Sequence, residues 1–66
     1  MRVYELARRN EAGLVVRLLW DAARNQAFVR YRDERETDVF VVDVPNDAAL
    51  DAFYHPNRYR PARLAA

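Results

Sequence analysis

Cysteine, lysine, serine and isoleucine are absent from the sequence, and glycine and histidine occur once each. Without cysteine, disulfides and thiolate metal sites are impossible, and a single histidine cannot complete a Cys/His zinc site. One glycine is also too few for a glycine-rich phosphate loop. Small domains usually need a disulfide, a metal or a partner to supplement a small core. Association with a partner is therefore the stabilising device that the composition leaves open.

The scarcity of nucleophiles argues against an enzyme. A hydrolytic triad places a nucleophile beside a histidine, and Thr37 is the only aliphatic hydroxyl in the chain. His55 precedes Pro56 at the end of a predicted helix, where it is expected to cap or pack. Asp47 and Asp51 are one helical turn apart and are expected to be solvated, since no loop with a turn glycine accompanies them. We therefore expect a non-enzymatic protein without a metal or a cofactor.

The sequence also has no long apolar segment. No run approaches the length of about 18 residues that a membrane-spanning helix needs. The first residues, Met-Arg-Val-Tyr-Glu, do not form the apolar stretch of a signal peptide. From these two observations we expect a cytoplasmic protein that does not contact the membrane.

The charges are balanced overall but separated along the chain. The formal net charge is +1, well below the basic excess of a dedicated duplex-DNA binder. Positions 33–51 carry seven acids and one base, which gives −6, whereas the remainder carries ten bases and three acids, which gives +7. Every one of the bases is arginine. Such a dipolar chain can satisfy its charges within one molecule or across a dimer.

Hydrophobic alternation predicts four strands and one helix. The strands are expected at residues 2–8, 14–21, 27–32 and 38–44, and the helix at residues 48–55. Gly13 and Asn25 stand in the first two connections, where residues with positive φ are needed. Short connections favour an up-and-down order of strands. The sequence therefore predicts one small α+β domain over residues 1–66, a four-stranded antiparallel meander followed by one short C-terminal helix (ββββα).

The second predicted strand has apolar residues on both of its faces. One face carries Leu14, Val16, Leu18 and Trp20, and the other carries Val15, Arg17 and Leu19. The fourth strand is apolar almost throughout, which is typical of a strand that is covered on both sides or lies at a dimer seam. One short helix can cover only one face of the sheet. We therefore predict a homodimer whose interface lies on the other face and is formed by Val15, Leu19, Val39 and Val41.

The predicted helix is amphipathic and has clear end signals. Asn46 is expected to be its N-cap. Leu50, Phe53 and Tyr54 have the i, i+3, i+4 spacing of one buried stripe. Pro56 ends the helix because it restricts the backbone of the residue before it.

Two Arg-Tyr-Arg triplets suggest a different function. They are Arg30, Tyr31, Arg32 in the third predicted strand and Arg58, Tyr59, Arg60 in the basic tail of residues 57–66. The tail is expected to lie along the sheet through Tyr59 or to be partly disordered. Arginine beside an exposed aromatic residue suits single-stranded nucleic acid, because phosphates pair with guanidinium groups and bases stack on rings. Binding of single-stranded nucleic acid through these six residues is the alternative hypothesis.

Two resemblances add little about activity. Residues 50–56, Leu-Asp-Ala-Phe-Tyr-His-Pro, resemble the C-terminal segment of short uncharacterised bacterial proteins from high-GC genomes, in which a β-rich stretch precedes a helix ending in Ala-Phe-x-His-Pro. That resemblance covers about the last half of the chain and implies no activity. The ββββα order is also similar to one PUR-type repeat, a unit that pairs with a second repeat and binds single-stranded nucleic acid. No motif residue carries over from that repeat.

Two functions of different classes follow from the sequence. The first is a small non-enzymatic interaction or regulatory module that acts as a homodimer, or as a subunit of a larger protein complex. The second is the single-stranded nucleic-acid binder. Sedimentation would test the first function, and salt-sensitive binding of a mixed oligonucleotide would test the second.

Overall fold

Four antiparallel strands form one sheet, and helical segments follow them. The computed structural model describes residues 2–61. The strands are β1 (Val3–Glu11), β2 (Leu14–Asp21), β3 (Gln26–Asp33) and β4 (Asp38–Val44), and they lie in that order in the sheet. The helix α1 (Ala49–Tyr54) lies between two 3-10 turns, Asn46–Ala48 and Pro56–Tyr59. The predicted ββββα order and the α+β class are confirmed, although β1 and β3 are longer than predicted.

The tight connections use residues that tolerate a left-handed backbone. Ala12 and Gly13 form the two-residue turn between β1 and β2, with φ angles of 49° and 91°. Two consecutive positive φ angles are typical of the hairpin turns whose twist matches that of the strands. Asn25 also has a positive φ, of 53°, at the end of the second connection, as predicted. Thr37 has the same conformation before β4.

The core lies between one face of the sheet, here called the inner face, and the helical segments. Val16, Val29 and Val44 are fully buried there, one on each of β2, β3 and β4. The helix contributes Ala52 and Phe53 to the same cluster. Burial of each large apolar side chain stabilises the fold by about 1.5–3 kcal/mol. This cluster therefore supplies most of the apolar burial on which the small domain depends.

The helix packs on the sheet through a narrower stripe than predicted. Phe53 is buried, but Leu50 is 63% exposed and Tyr54 is 58% exposed. The predicted stripe of Leu50, Phe53 and Tyr54 is therefore wrong in two of its three members. The helix has only six residues and approaches the sheet through Ala52, whose small side chain allows close contact. Leu50 and Tyr54 consequently point away from the core.

Asn46 does not cap the helix as predicted. It lies in the first 3-10 turn, and no side-chain hydrogen bond caps either that turn or α1. Its side chain instead bonds to the β2–β3 hairpin: Oδ1 accepts from the N–H of Ala27 at 2.9 Å, and Nδ2 donates to the carbonyl of Asn25 at 3.0 Å. Since β4 ends at Val44, Asn46 supplies the partner that the ladder no longer offers to Ala27.

The second face of the sheet, here called the outer face, carries the side chains that alternate with the core residues. They are Val3, Glu5, Arg8, Asn10, Val15, Arg17, Leu19, Asp21, Gln26, Phe28, Arg30, Arg32, Val39, Val41 and Asp43. The helix contacts β2 and β3 through the core, on the inner face. The outer face therefore has no helical cover among residues 2–61, and its composition decides what it can bind.

Candidate functional site

A β-bulge in β1 places Arg8 on the outer face. The pairing of β1 with β2 shifts by one position between Glu5 and Ala7. Before the bulge Glu5 lies opposite Leu19, and after it Ala7 lies opposite Leu18 and packs on the core. Because successive side chains alternate between faces, the next residue, Arg8, points to the outer face.

Three arginines stand side by side across the outer face. Arg8 on β1 lies opposite Arg17 on β2, which in turn lies opposite Arg30 on β3. We call these three residues the arginine row. Val41 on β4 completes the row at the far edge. Since the Cβ atoms of directly opposed residues are about 4.5–5.5 Å apart, like charges in such pairs destabilise a sheet.

A fourth arginine adjoins the arginine row. Arg32 lies two residues beyond Arg30 on β3, between Val15 and Val39. The arginine row and Arg32 together are called the basic patch below. They line a shallow cavity of about 260 Å³ together with Asn10, Val15 and Glu34. The cavity is thus walled mainly by guanidinium groups, which are suited to planar, bidentate recognition of phosphate or carboxylate.

Only half of the basic patch is neutralised by nearby acids. Arg17 donates from Nε to Glu5 Oε1 at 2.6 Å, and Arg32 lies 3.5 Å from Glu34. Within residues 2–61, neither Arg8 nor Arg30 has a carboxylate oxygen within the 4.0 Å of an ion pair. Since Arg17 donates to Glu5 through Nε, its two terminal nitrogens stay available to a second acceptor. The patch therefore has more donors than its own carboxylates use.

The opposite end of the outer face is neutralised internally. Arg24, in the β2–β3 connection, donates to Asp21 at 2.8 Å and to both oxygens of Asp43. The hydrogen bond from Arg24 lowers the pKa of Asp43, and the same donor lowers the pKa of Asp21. The outer face consequently has one balanced end and one basic end.

The structure separates the six residues that were predicted to bind nucleic acid together. Arg30 and Arg32 lie in the basic patch, but Tyr31 faces the core and is 6% exposed. Its ring stacks on Phe40 with centroids 4.6 Å apart. The expectation that Tyr31 presents its ring beside Arg30 is therefore wrong, because adjacent residues on a strand point to opposite faces.

The tail residues of the second triplet are engaged on the inner side of the sheet. Tyr59 donates from its hydroxyl to Asp51 at 2.7 Å, and Arg58 donates to the same carboxylate at 3.1 Å. The hydrogen bond from Tyr59 lowers the pKa of Asp51 and raises that of Tyr59 itself. Tyr59 thus attaches the first part of the tail to α1, whereas residues 62–66, the rest of the predicted tail 57–66, lie outside the described residues.

Arg60 also has its contacts on the inner side of the sheet. It donates to both oxygens of Asp38, at 3.2 and 2.7 Å, and its guanidinium lies 4.7 Å from the ring centroid of Phe40. The hydrogen bond from Arg60 lowers the pKa of Asp38. Arg58, Tyr59 and Arg60 therefore have structural partners and do not extend the basic patch.

The four residues of the predicted dimer interface all lie on the outer face, but they differ in accessibility. Val39 and Val41 are more than half exposed, and Val15 is half-buried. Leu19 is only 5% exposed, between Glu5 and Phe28 in the ladder. Leu19 is thus already covered within one chain and can contribute little contact area. The accessible apolar side chains of this face therefore lie on its two edge strands, with Val39 and Val41 on β4 and Val3 on β1.

Arg8 and Arg17 are the functional candidates that the sequence patterns missed. The alternation in β2 placed Arg17 beside Val15 and Leu19, so its position on the outer face could have been found. The position of Arg8 could not have been found, because the bulge that reverses its orientation leaves no sequence signal.

A second cavity, of about 380 Å³, lies on the inner side between Arg9, Tyr54, His55 and Arg58. Its arginines are bound to Phe53 and Asp51.

Searches of the described residues and comparisons with known proteins give no further assignment. No group of three metal-ligating side chains occurs between residues 2 and 61. No helix in that part of the chain is long and apolar enough to cross a membrane. No protein-family model, curated protein or solved structure matches the chain significantly. Within residues 2–61, the feature that points to a function is therefore the chemistry of the outer face.

Proposed function

We propose that this protein binds single-stranded nucleic acid on the outer face of its sheet, through the basic patch. The observation that supports the proposal is the arginine row, in which Arg8, Arg17 and Arg30 are directly opposed across three strands. A sheet gains nothing from three like charges in one row. A bound anion would offset the repulsion between these arginines, because each could donate charge-assisted hydrogen bonds to it.

The shape of the basic patch favours a linear polyanion over a small anion. Adjacent strands lie about 4.8 Å apart, so the arginine row spans about 10 Å. Arg32 adds a position along β3, at right angles to the row. Such a spread of guanidinium groups can contact successive phosphates, whereas one small anion would reach only part of it.

The apolar neighbours of the basic patch favour a single strand over a duplex. Val39 and Val41 are exposed beside Arg32 and Arg30, and the half-buried ring of Phe28 lies two residues from Arg30. Unpaired bases can pack on such side chains, while a duplex hides its bases and presents mainly phosphates. The net charge of +1 is likewise small for a duplex binder.

Fluorescence anisotropy of a labelled mixed-sequence oligonucleotide tests this function. The double variant Arg8→Gln with Arg30→Gln is expected to weaken binding by at least about tenfold, because two phosphate contacts are lost. The matched control is Arg24→Gln with Arg58→Gln, which removes the same charge outside the patch and should change binding little. No binding by the unaltered protein at low salt, or an equal loss in both double variants, would overturn the proposal.

A homodimeric interaction module is the second candidate, and the exposure of Val39 and Val41 favours it. In such a homodimer the outer faces of two copies would lie against each other. Contact through this face would bury the valines of β4. Val41→Glu should then abolish a dimer seen by sedimentation. A monomeric protein at high concentration, or a dimer that is unaffected by Val41→Glu, would exclude this contact.

A further inference from the structure

β1 is an edge strand, and several of its apolar side chains are exposed to solvent. It stands at the end of the strand order and has nine residues. Val3, Tyr4 and Leu6, all on this strand, are among the large hydrophobic residues that stay exposed. The unpaired N–H and C=O groups of such an edge are a template for another strand, and proteins usually blunt them with lysine, proline or a cover. β1 has neither lysine nor proline.

The other edge of the sheet is shielded better. β4 has seven residues and is followed by Pro45. The tail returns to its start, where Arg60 binds Asp38 and lines a cavity together with Pro61. Of the two edges, β1 is therefore the longer and the more accessible to a partner.

The charges along β1 are complementary to a reversed copy of themselves. Two pairs of opposite charge are placed symmetrically about the centre of the strand: Arg2 and Glu11 stand near its ends, and Glu5 and Arg8 stand near its middle, with Arg9 as a further base. In an antiparallel copy whose two-fold axis passes between Leu6 and Ala7, each acid faces a base. Glu5 then lies opposite the partner's Arg8, and Arg2 lies opposite the partner's Glu11.

The β-bulge makes this register possible. Paired residues must point to the same face, and in a regular strand residues an odd number of positions apart point to opposite faces. The extra residue at Leu6 reverses this relation, so that Glu5 and Arg8 share the outer face while Tyr4 and Arg9 share the inner face. A bulge normally hinders edge pairing. At the two-fold axis, however, Leu6 of each copy lies opposite the partner's Ala7, so the bulges of the two copies fall at the same point of the pairing.

We propose that a second copy of this chain pairs antiparallel with β1, which joins two sheets into one of eight strands. The two-fold axis is perpendicular to the sheet, so both outer faces, and both basic patches, lie on the same side of the dimer. Tyr4 is set opposite the partner's Arg9, whose guanidinium already lies 5.5 Å from the ring centroid of Phe53. Arg8 gains a carboxylate in the partner's Glu5 and still has guanidinium N–H groups for a phosphate.

A charge swap at the ends of β1 tests the pairing without altering the basic patch. Arg2→Glu and Glu11→Arg, made singly, each place like charges opposite each other at two points of the dimer. Each is expected to raise the dissociation constant measured by sedimentation by about tenfold. The double variant restores opposite charges and should return the constant to that of the unaltered protein. Val41→Glu, on the outer face, is the matched control and should leave the dimer intact.

Cysteine cross-linking provides a second test that does not depend on affinity. The chain has no cysteine, so the double variant Val3→Cys with Asn10→Cys introduces the only thiols. These positions are at opposite ends of one strand, too far apart for a bond within one copy, but they face each other across the proposed pairing. Oxidation should give a covalent dimer, and Val39→Cys with Val41→Cys should not.

The outcomes separate this proposal from the nucleic-acid function. A monomer at high micromolar concentration overturns the pairing, as does a dimer that is broken by Val41→Glu but not by Arg2→Glu. Failure of the cross-link in a folded double-cysteine variant has the same meaning. None of these results decides whether the protein binds the oligonucleotide, and Arg30→Gln, on β3 and outside the proposed pairing, tests that binding separately.

Discussion

Arg17 and Arg30 stand directly opposite each other on β2 and β3, on the outer face of the sheet. Glu5 binds Arg17 at 2.6 Å, but none of the ion pairs found among residues 2–61 includes Arg30. Two like charges that lie directly opposite each other on neighbouring strands weaken a sheet. The pair therefore supports the proposal that the basic patch serves binding rather than folding.

Removal of Arg30 should stabilise the free protein. Thr is well suited to a strand, and Arg30→Thr removes the like charge opposite Arg17, so we expect the free energy of unfolding in urea to rise by about 0.2–1 kcal/mol. Arg32→Thr is the matched control on the same strand and face. Arg32 lies between Val15 and Val39 and close to Glu34, so its removal should give no such gain. Equal or greater stabilisation by Arg32→Thr would contradict the account.

The contact between α1 and the sheet should depend on Phe53 alone among the three residues of the predicted stripe. Phe53→Ala leaves a cavity in the core and is expected to cost about 3–5 kcal/mol. Leu50→Ala, on the same helix, should change stability by less than about 0.5 kcal/mol, because Leu50 is exposed. Thermal or urea unfolding of both variants measures the difference. Similar losses would mean that Leu50 is packed after all.

Asn46 should stabilise the end of the β3–β4 ladder. Asn46→Ala removes the acceptor from the buried N–H of Ala27 and is expected to cost about 1–3 kcal/mol. Asn46→Asp keeps that acceptor but loses the bond to the carbonyl of Asn25, so its cost should be smaller. Urea unfolding of the two variants distinguishes this role from N-capping. A capping residue would instead be replaced by Asp at little or no cost.

The ion pair between Asp38 and Arg60 should make stability depend on acid pH. The hydrogen bond from Arg60 lowers the pKa of Asp38 in the folded state below the ordinary value of 3.8. The stabilisation is therefore fully present above the unfolded pKa and is lost as the pH falls through the folded pKa. Arg60→Gln should reduce stability at neutral pH and flatten its decline in acid. Asp38→Asn should give the same profile, and a steeper decline in either variant would contradict the assignment.

The regular parts of this fold could be predicted from the sequence, and its irregular parts could not. Alternation located all four strands, and Asn25 marked its left-handed turn correctly. The helix face was predicted wrongly because spacing alone does not show that a six-residue helix buries only Ala52 and Phe53 against the sheet. The surplus of apolar strand surface was overestimated because Leu19 is covered within its own chain.

The candidate site was predicted only in part, for a similar reason. Arg30 and Arg32 lie where the alternation placed them, but Arg58 and Arg60 bind carboxylates on the other side of the sheet. A tail without periodicity gives no indication of its partners. Arg8 joins Arg17 only through a one-residue bulge, which depends on local backbone geometry rather than on any residue type.

The salt dependence of oligonucleotide binding tests the central claim most directly. If the basic patch pairs with three phosphates, the plot of log K against log salt concentration for a single strand should have a slope of about −2. Arg8→Gln with Arg30→Gln should make the slope shallower by about 1.4, since two contacts are lost. A slope near zero for the unaltered protein, or the same slope in the double variant, would contradict the proposal that the arginine row binds nucleic acid.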